Sequence, residues 1–315
     1  MTPQYLPPGA SACCVYVIVV TYNAESYYQQ CFESLALSGV KANVIVVDNA
    51  SSDGFLERAI SEFPEIEFVK CNTNHGFGEG NNVGLRIARE RGATHFLLLN
   101  QDATIEVNTI EALLLASEHE PRFDVLSPMQ LNGEGEGLEH FFSRFAAPEY
   151  CPDLYSDACL GKLRDSPYEV SFVQAACWLL TRKCVETVGG FNPLFFMYGE
   201  DNDYLHRVVF HGMRAGIVAG ARIKHSHVAR TSTPFNLDPD IVTKRQLLID
   251  LCDPHAATSP RTALREFRRG LAVSVIRCQP RATKDYLRRL RVLKPLAEAI
   301  AGAKALTATR GSTFL

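Results

Sequence analysis

Two runs of almost unbroken Val and Ile, Val15 to Thr21 and Asn43 to Val47, dominate the first fifty residues, and each stops on a polar tip. A strand that is apolar at every position offers no face to water, so it belongs in a parallel sheet covered on both sides. After each run the pattern is helical: Glu25 to Leu37, capped by Asn23, and Phe55 to Phe63, opened by Ser51-Ser52-Asp53-Gly54. Ile66 to Cys71 reads as a third strand, Asn81 to Arg91 as a third helix, and Thr94 to Leu99 as a fourth strand ending at Asn100-Gln101-Asp102. The fold class is α/β, and in such sheets ligands bind beyond the carboxyl ends of the strands.

Farther along, residues 132–167 are rich in Gly, Pro and acidic residues and read as a long loop or insertion. Regular pattern returns with a strand over Ser171 to Thr181, a short helix over Tyr204 to Phe210 and a strand over Ile217 to Ile223. The longest apolar stretch, Ala12 to Val20, is far short of the roughly 20 residues of a membrane-spanning helix, and no signal peptide is expected. Ten cysteines are scattered without a Cys-x-x-Cys, which implies reduced thiols and a cytoplasmic protein. From His255 onward 13 Lys or Arg face only Glu266, Asp285 and Glu298, a net +10, so with −3 overall the remainder carries −13. Such a tail meets an anionic surface, and without stacking aromatics or a reading motif that surface is not nucleic acid. Leu287, Leu290, Leu293, Leu296 and Ile300 recur at helical spacing among Arg288, Arg289, Arg291 and Lys294. That pattern fits an amphipathic helix lying on anionic lipid at the inner face of the membrane, or one packed on the acidic body or a second subunit in a homodimer.

Four clusters carry potential chemistry. The tips Thr21-Tyr22-Asn23 and Asp48-Asn49-Ala50-Ser51-Ser52-Asp53-Gly54 lie side by side if their strands are neighbours, with Asp48 placed to accept hydrogen bonds from a nucleobase or ribose and Asp53 better read as a helix cap. Asn74-His75-Gly76-Phe77-Gly78-Glu79-Gly80-Asn81-Asn82 suits phosphate or ribose approach, or a tight turn, but lacks the Gly-x-Gly-x-x-Gly spacing and follows the wrong strand for that fingerprint. Asp102 sits past the fourth strand while Asn108 and Glu111 form a capping box for the next helix, which leaves Asp102 to hold Mg²⁺ or Mn²⁺. Gly199-Glu200-Asp201-Asn202-Asp203 crowds three carboxylates at a helix start, where like charges raise proton affinity toward that of a general base. His225 and His227 alternate on a strand end, so one of them at most reaches the metal.

Taken in order, these segments resemble the family 2 glycosyltransferases, inverting enzymes of GT-A fold, in their rhamnosyltransferase-like branch. The resemblance is carried by Val17 to Asn23, Val44 to Gly54, Asn74 to Gly78 with Asn81-Asn82, and Gly189 to Phe196 leading into Glu200-Asp201-Asn202-Asp203, and it runs from Val15 to Ser232. Asn100-Gln101-Asp102 stands where the family has Asp-x-Asp, with one carboxylate missing. The resemblance implies a GT-A catalytic domain over residues 1–254, its nucleotide-sugar half about 13–105 and acceptor half about 106–232, with a mixed, mostly parallel sheet and a basic helical region over 255–315. It implies donor-nucleotide contacts from Thr21, Tyr22, Asn23, Glu25, Asp48, Asn49, Gly76, Asn81 and Gln101. Asp102 would hold Mg²⁺ or Mn²⁺ with His227 or else His225, Asp201 with Glu200 would be catalytic, and Trp178 and Asp203 would lie on the acceptor side. The implied partners are a nucleotide-diphosphate sugar and a glycan or lipid-linked saccharide. Two rivals stay open here: a non-catalytic nucleotide-sugar-binding module, suggested by Asn100, and a Rossmann-type oxidoreductase, disfavoured by the glycine spacing.

Overall fold

A computed structural model describes residues 13–226 and 234–315. In chain order the first half runs β1 (Val15–Thr21), α1 (Tyr28–Ala36), β2 (Asn43–Asp48), α2 (Phe55–Glu62), β3 (Glu67–Lys70), α3 (Gly76–Glu90), β4 (His95–Asn100), β5 (Ala103–Ile105), α4 (Thr109–His119) and β6 (Val125–Leu131). It continues through α5 (His140–Phe145), α6 (Pro152–Cys159), β7 (Tyr168–Val170), β8 (Cys177–Thr181), α7 (Arg182–Val188), α8 (Glu200–Phe210) and β9 (Ala215–His225). The last elements are α9 (Pro234–Leu237), α10 (Pro239–Cys252), α11 (Pro260–Ile276) and α12 (Pro280–Thr307).

The strands form one sheet in the order β3-β2-β1-β4-β8-β6-β9-β5, with β7 added beside β9. Strands β3, β2, β1 and β4 are parallel, β8 is antiparallel to both neighbours, and β6 and β9 pair in parallel. The unbroken apolar character of β1 follows from burial on both faces: Val15, Val17 and Val19 enter one core with Phe32 and Phe55, while Tyr16 and Ile18 enter the other with Leu85 and Phe96.

Several sequence expectations need correction. The third helix starts at Gly76 rather than Asn81, because its glycines serve packing. A Cβ on Gly80 would lie 2.7 Å from Val20, and one on Gly84 2.5 Å from Ile18. Residues 132–167 hold α5 and α6 rather than a bare loop, α5 being capped by Glu139, whose carboxylate accepts from the Phe142 N–H. Within the strand expected over Ser171 to Thr181, only Cys177–Thr181 is extended. Asn23 does not cap α1, which starts five residues later, and Asn108 precedes α4 without a side-chain capping bond. All ten cysteines are free thiols.

The last three helices form a layer of their own. Leu293 and Ile300 of α12 are completely buried in a cluster with Leu247, Leu248 and Leu251 of α10. Of the stripe offered either to lipid or to packing on the body, Leu293, Leu296 and Ile300 are therefore internal packing while Leu287 stays exposed, and the basic neighbours Arg288 and Arg291 pair with Asp240 of α10. Among the described residues no helix is long and apolar enough to cross a membrane.

Candidate active site

The carboxyl ends of β1, β2 and β4 are laced together before any ligand is considered. Asp48 is opposite Thr21 in the β1–β2 register and is wholly buried. It accepts from Thr21 Oγ1 at 3.4 Å, from Ser51 N at 3.2 Å and from Ser51 Oγ. Asn23, held at a φ of 49°, accepts from Ser52 N on its Oδ1 and donates its own N–H to Ser51 Oγ, both at 2.9 Å. Asp53 accepts from Glu25 N at 2.9 Å, and Glu25 itself pairs with Arg58. Gln101 acts as a surrogate peptide: its Oε1 accepts from Tyr22 N at 2.7 Å and its Nε2 donates to Tyr22 O at 3.2 Å. These bonds fix three strand tips relative to one another.

Above them opens a cleft of about 460 Å³. Thr21, Tyr22, Asn49, Gly76 and Gln101 line it from the side of the strand tips, together with Asn100 and Asp102. Glu200, Asp201 and Asn202 line it from the start of α8, Arg245 and Ile249 from α10, and Phe141, Phe145 and Phe172 form an aromatic wall. Asp102 and Asp201, distant in sequence, thus share one cavity. Asp48, Asn23, Glu25 and Asn81 do not line it: Asp48 and Asn23 hold loops, Glu25 faces Arg58, and Asn81 Nδ2 donates to Phe77 O within α3.

Two acceptor-side expectations fail on burial. Trp178 is wholly buried in β8, stacked on Phe191 with centroids 6.4 Å apart, and its Nε1 has no hydrogen-bond partner among the described residues. Asp203 turns away from the cleft to an ion pair with Arg207 at 2.8 Å, both side chains being buried.

Next to Asp102, the β5–β9 pairing sets Ala103 against His225. His225 Nε2 then stands 3.3 Å from Asp102 Oδ1 and 3.5 Å from Asn100 Nδ2. His225 is accordingly the described histidine that meets Asp102; His227 lies outside the described residues. Among the described residues no third His, Cys, Asp or Glu completes a metal-binding group with them.

Across the cleft, Tyr198 and Gly199 both take positive φ, 65° and 93°, before α8 begins. This strained turn, of a kind concentrated at functional sites, swings Glu200 and Asp201 to the cavity. Burial raises the proton affinity of both carboxyls above the usual range, and for Glu200 the charge of Asp201 adds to the effect. The Asn202 N–H, 2.9 Å from Asp201 Oδ1, and the Arg245 guanidinium pull the other way. Glu200 Oε2 is buried without a hydrogen-bond partner among the described residues.

Arg245, the aromatic wall and Gln174 escaped the sequence reading. Their one local signal was the Phe141-Phe142 pair with Phe145 at helical spacing inside the presumed loop. Gly76 had a stronger reason than phosphate approach: with φ +81° and an added Cβ only 1.9 Å from Phe196 O, no other residue fits.

Comparison with known proteins agrees with this geometry. The chain is 25% identical over 236 residues to the N-acetylglucosaminyl-diphospho-decaprenol L-rhamnosyltransferase of Mycobacterium tuberculosis, covering 66% of this chain and 75% of that protein. Among solved structures it is similar to residues 1–349 of S. aureus TarS in complex with UDP-GlcNAc, with a TM-score of 0.57, 18% identity and coverage of 94% and 89% of the two chains. GalNAc-T7 with UDP, GalNAc and Mn²⁺ gives a TM-score of 0.58 at 13% identity, covering 93% of this chain and 58% of that one. The two structural likenesses speak to the fold. The description Glycosyl transferase family 2 matches residues 16–189, which takes in every strand tip of the nucleotide half. A match of that extent, on a mixed sheet with GT-A neighbours, settles the membership: the chain belongs to glycosyl transferase family 2 and is a glycosyltransferase.

Proposed function

We propose that this glycosyltransferase moves a hexose, in the first instance rhamnose, from a nucleotide-diphosphate donor to a hydroxyl of a cell-surface glycan or lipid-linked saccharide, with inversion, at the cytoplasmic face of a membrane. The observation that carries the reading is that Asp201, with raised proton affinity, and the Asp102–His225 pair face the same cleft. The mycobacterial relative, an L-rhamnosyltransferase acting on N-acetylglucosaminyl-diphospho-decaprenol, supports the choice of sugar and acceptor class.

In this reading the acceptor oxygen attacks the anomeric carbon while the bond from that carbon to the diphosphate oxygen breaks. The acceptor's proton passes to an Asp201 carboxylate oxygen. Glu200, buried beside it, keeps the pair's second negative charge unfavourable, so Asp201 is a better base than an isolated aspartate. Thr21, Tyr22, Asn49 and Gln101 present the nucleotide surface, and the Phe141, Phe145 and Phe172 wall excludes water and packs on the apolar face of a sugar. One carboxylate and one imidazole fit a divalent ion that completes its shell with substrate phosphates, so Asp102 and His225 would hold Mg²⁺ or Mn²⁺. Such an ion supplies Lewis-acid stabilisation of the leaving diphosphate.

The test is Asp201→Asn, assayed with dTDP-, UDP- and GDP-sugars chosen by thermal stabilisation of the wild type in Mn²⁺. Donor binding by calorimetry is expected to survive within a few-fold, while turnover falls roughly 10² to 10⁴-fold. Wild-type turnover in the variant would remove Asp201 as the base.

A further inference from the structure

The α11–α12 hairpin ends in a tip that the fold leaves uncovered. Ile276 is 80% exposed, Val275 57% and Leu287 53%, although these residues sit at the end of a well-packed stem. The stem is closed by Phe267 against Tyr286, by Gly270, where a Cβ would meet the Tyr286 ring at 2.3 Å, and by Ser274 Oγ 2.9 Å from Thr283 Oγ1. The exposed side chains therefore belong to a preformed surface. Around them the stretch Phe267 to Lys284 carries Arg268, Arg269, Arg277, Arg281 and Lys284 and no carboxylate. All five are exposed, and none has an ion-pair partner among the described residues, in contrast to Arg288, Arg289 and Arg291 just beyond.

The direction of the hairpin relates this tip to the cleft. Helix α12 runs parallel to α10, with Arg291 on Asp240 at the start of α10 and Lys304 Nζ on Ala256 O just past its end. The eight residues Pro280 to Leu287 thus project about 12 Å beyond the start of α10, at 1.5 Å per residue. That is the end where α9 adjoins α10 and where Asn236 lines the cleft.

We infer that the hairpin tip docks the enzyme on an anionic bilayer: Val275, Ile276 and Leu287 enter the headgroup boundary, the five free cations face the phosphates, and the cleft is held over the lipid surface. Three apolar side chains at a convex end are too few for the roughly 800 Å² per partner of a stable dimer but suit shallow interfacial insertion. The inference rests on the membrane-side acceptor reading above, and it replaces the α12 stripe with the tip as the contacting surface.

The test is flotation of the full chain with vesicles of phosphatidylglycerol and phosphatidylcholine in equal parts, and with phosphatidylcholine alone. Each basic residue near an anionic surface multiplies partitioning by roughly fivefold, so Arg277→Glu/Arg281→Glu should lower binding at least about 25-fold. Val275→Ser/Ile276→Asp should lower it about tenfold or more, with the unfolding midpoint of both variants unchanged. Binding to the anionic vesicles alone, lost in both variants, supports the proposal. Equal flotation with both vesicle types, none with either, or wild-type flotation of the variants overturns it, as does a dimer in light scattering that the tip substitutions dissociate. Stabilisation of the same preparations by dTDP-rhamnose or UDP-GlcNAc with Mn²⁺ reports on the donor reading separately.

Discussion

Replacing Arg207 by leucine probes the support beneath the catalytic turn. Arg207 is completely buried in α8, where its Nε donates to Asp203 Oδ2 at 2.8 Å, its Nη1 to Val188 O at 2.8 Å and its Nη2 to Gly190 O at 2.9 Å. Its guanidinium also lies 5.0 Å from the Tyr204 ring centroid and 5.8 Å from that of Phe314. Leucine removes the cation and leaves the Asp203 carboxylate, 1% exposed, with Asn192 Nδ2 at 3.3 Å as its one remaining side-chain partner among the described residues. Removing one member of a buried ion pair costs about 3–5 kcal/mol, and the two abandoned carbonyls act in the same direction. For a chain of 315 residues, with an unfolding entropy of roughly 2.1 cal/mol/K per residue, that cost lowers the unfolding midpoint by roughly 5–8 °C. Thermal unfolding of Arg207→Leu against wild type measures it, and the double variant Asp203→Leu/Arg207→Leu should recover part of the loss, since no charge is then buried alone. A single variant within about 1 kcal/mol of wild type would mean that the pair is not the buried support described.

Four further outcomes are expected. Because burial raises the proton affinity of Glu200 and Asp201, with the charge of Asp201 adding to it for Glu200, kcat/KM should climb with pH through a midpoint above the ordinary carboxylate range; a flat profile from pH 5 to 8 would contradict it. The same shift means that the native state holds protons the unfolded chain has released, so stability falls as pH rises through this window. Glu200→Gln should then raise the unfolding midpoint more at pH 8 than at pH 5, and a pH-independent difference would count against the linkage. Gly76→Ala places a Cβ against Phe196 O at positive φ, and it should cost at least about 1–2 kcal/mol and weaken donor binding as the Asn49–Gly76 bond shifts; unchanged calorimetric affinity would argue otherwise. Trp178→Phe should leave turnover and acceptor KM unaltered, since among the described residues the buried indole N–H meets no hydrogen-bond partner and does not line the cleft, whereas a raised acceptor KM would restore an acceptor-side role.

The nucleotide half was legible because strands buried on both faces leave an unmistakable apolar record. β1 and β2 lie within a residue of their expected bounds, and Asp102 lines the cleft as read. What misled were residues whose helical propensity opposes their packing role. Gly78 and Gly80 argue against a helix locally, yet α3 needs them to approach Phe191 and Val20. Arg245 and the Phe141 wall carried no readable signal of function, because their place depends on α5 and α10 folding back across the strand tips. The preference for His227 over His225 likewise needed a pairing register, Ala103 with His225, that alternation alone does not supply.

The acidic cluster Glu200-Asp201-Asn202-Asp203 shows how one sequence signal divides into two physical roles. Successive positions on a helix point about 100° apart, so three carboxylates in four residues do not share one environment. Asp203 meets Arg207 one turn later, an (i, i+4) spacing present in the sequence and sufficient to assign it a partner. Once Asp203 is neutralised inward, Glu200 and Asp201 remain at the cleft with Arg245 as the nearby cation and with burial raising their proton affinity. Had all three carboxylates faced the cavity, their repulsion would have opposed the approach of an anionic diphosphate. The Asp203–Arg207 pair therefore does more than anchor α8: it takes a carboxylate out of the cleft while fixing the turn that presents the other two.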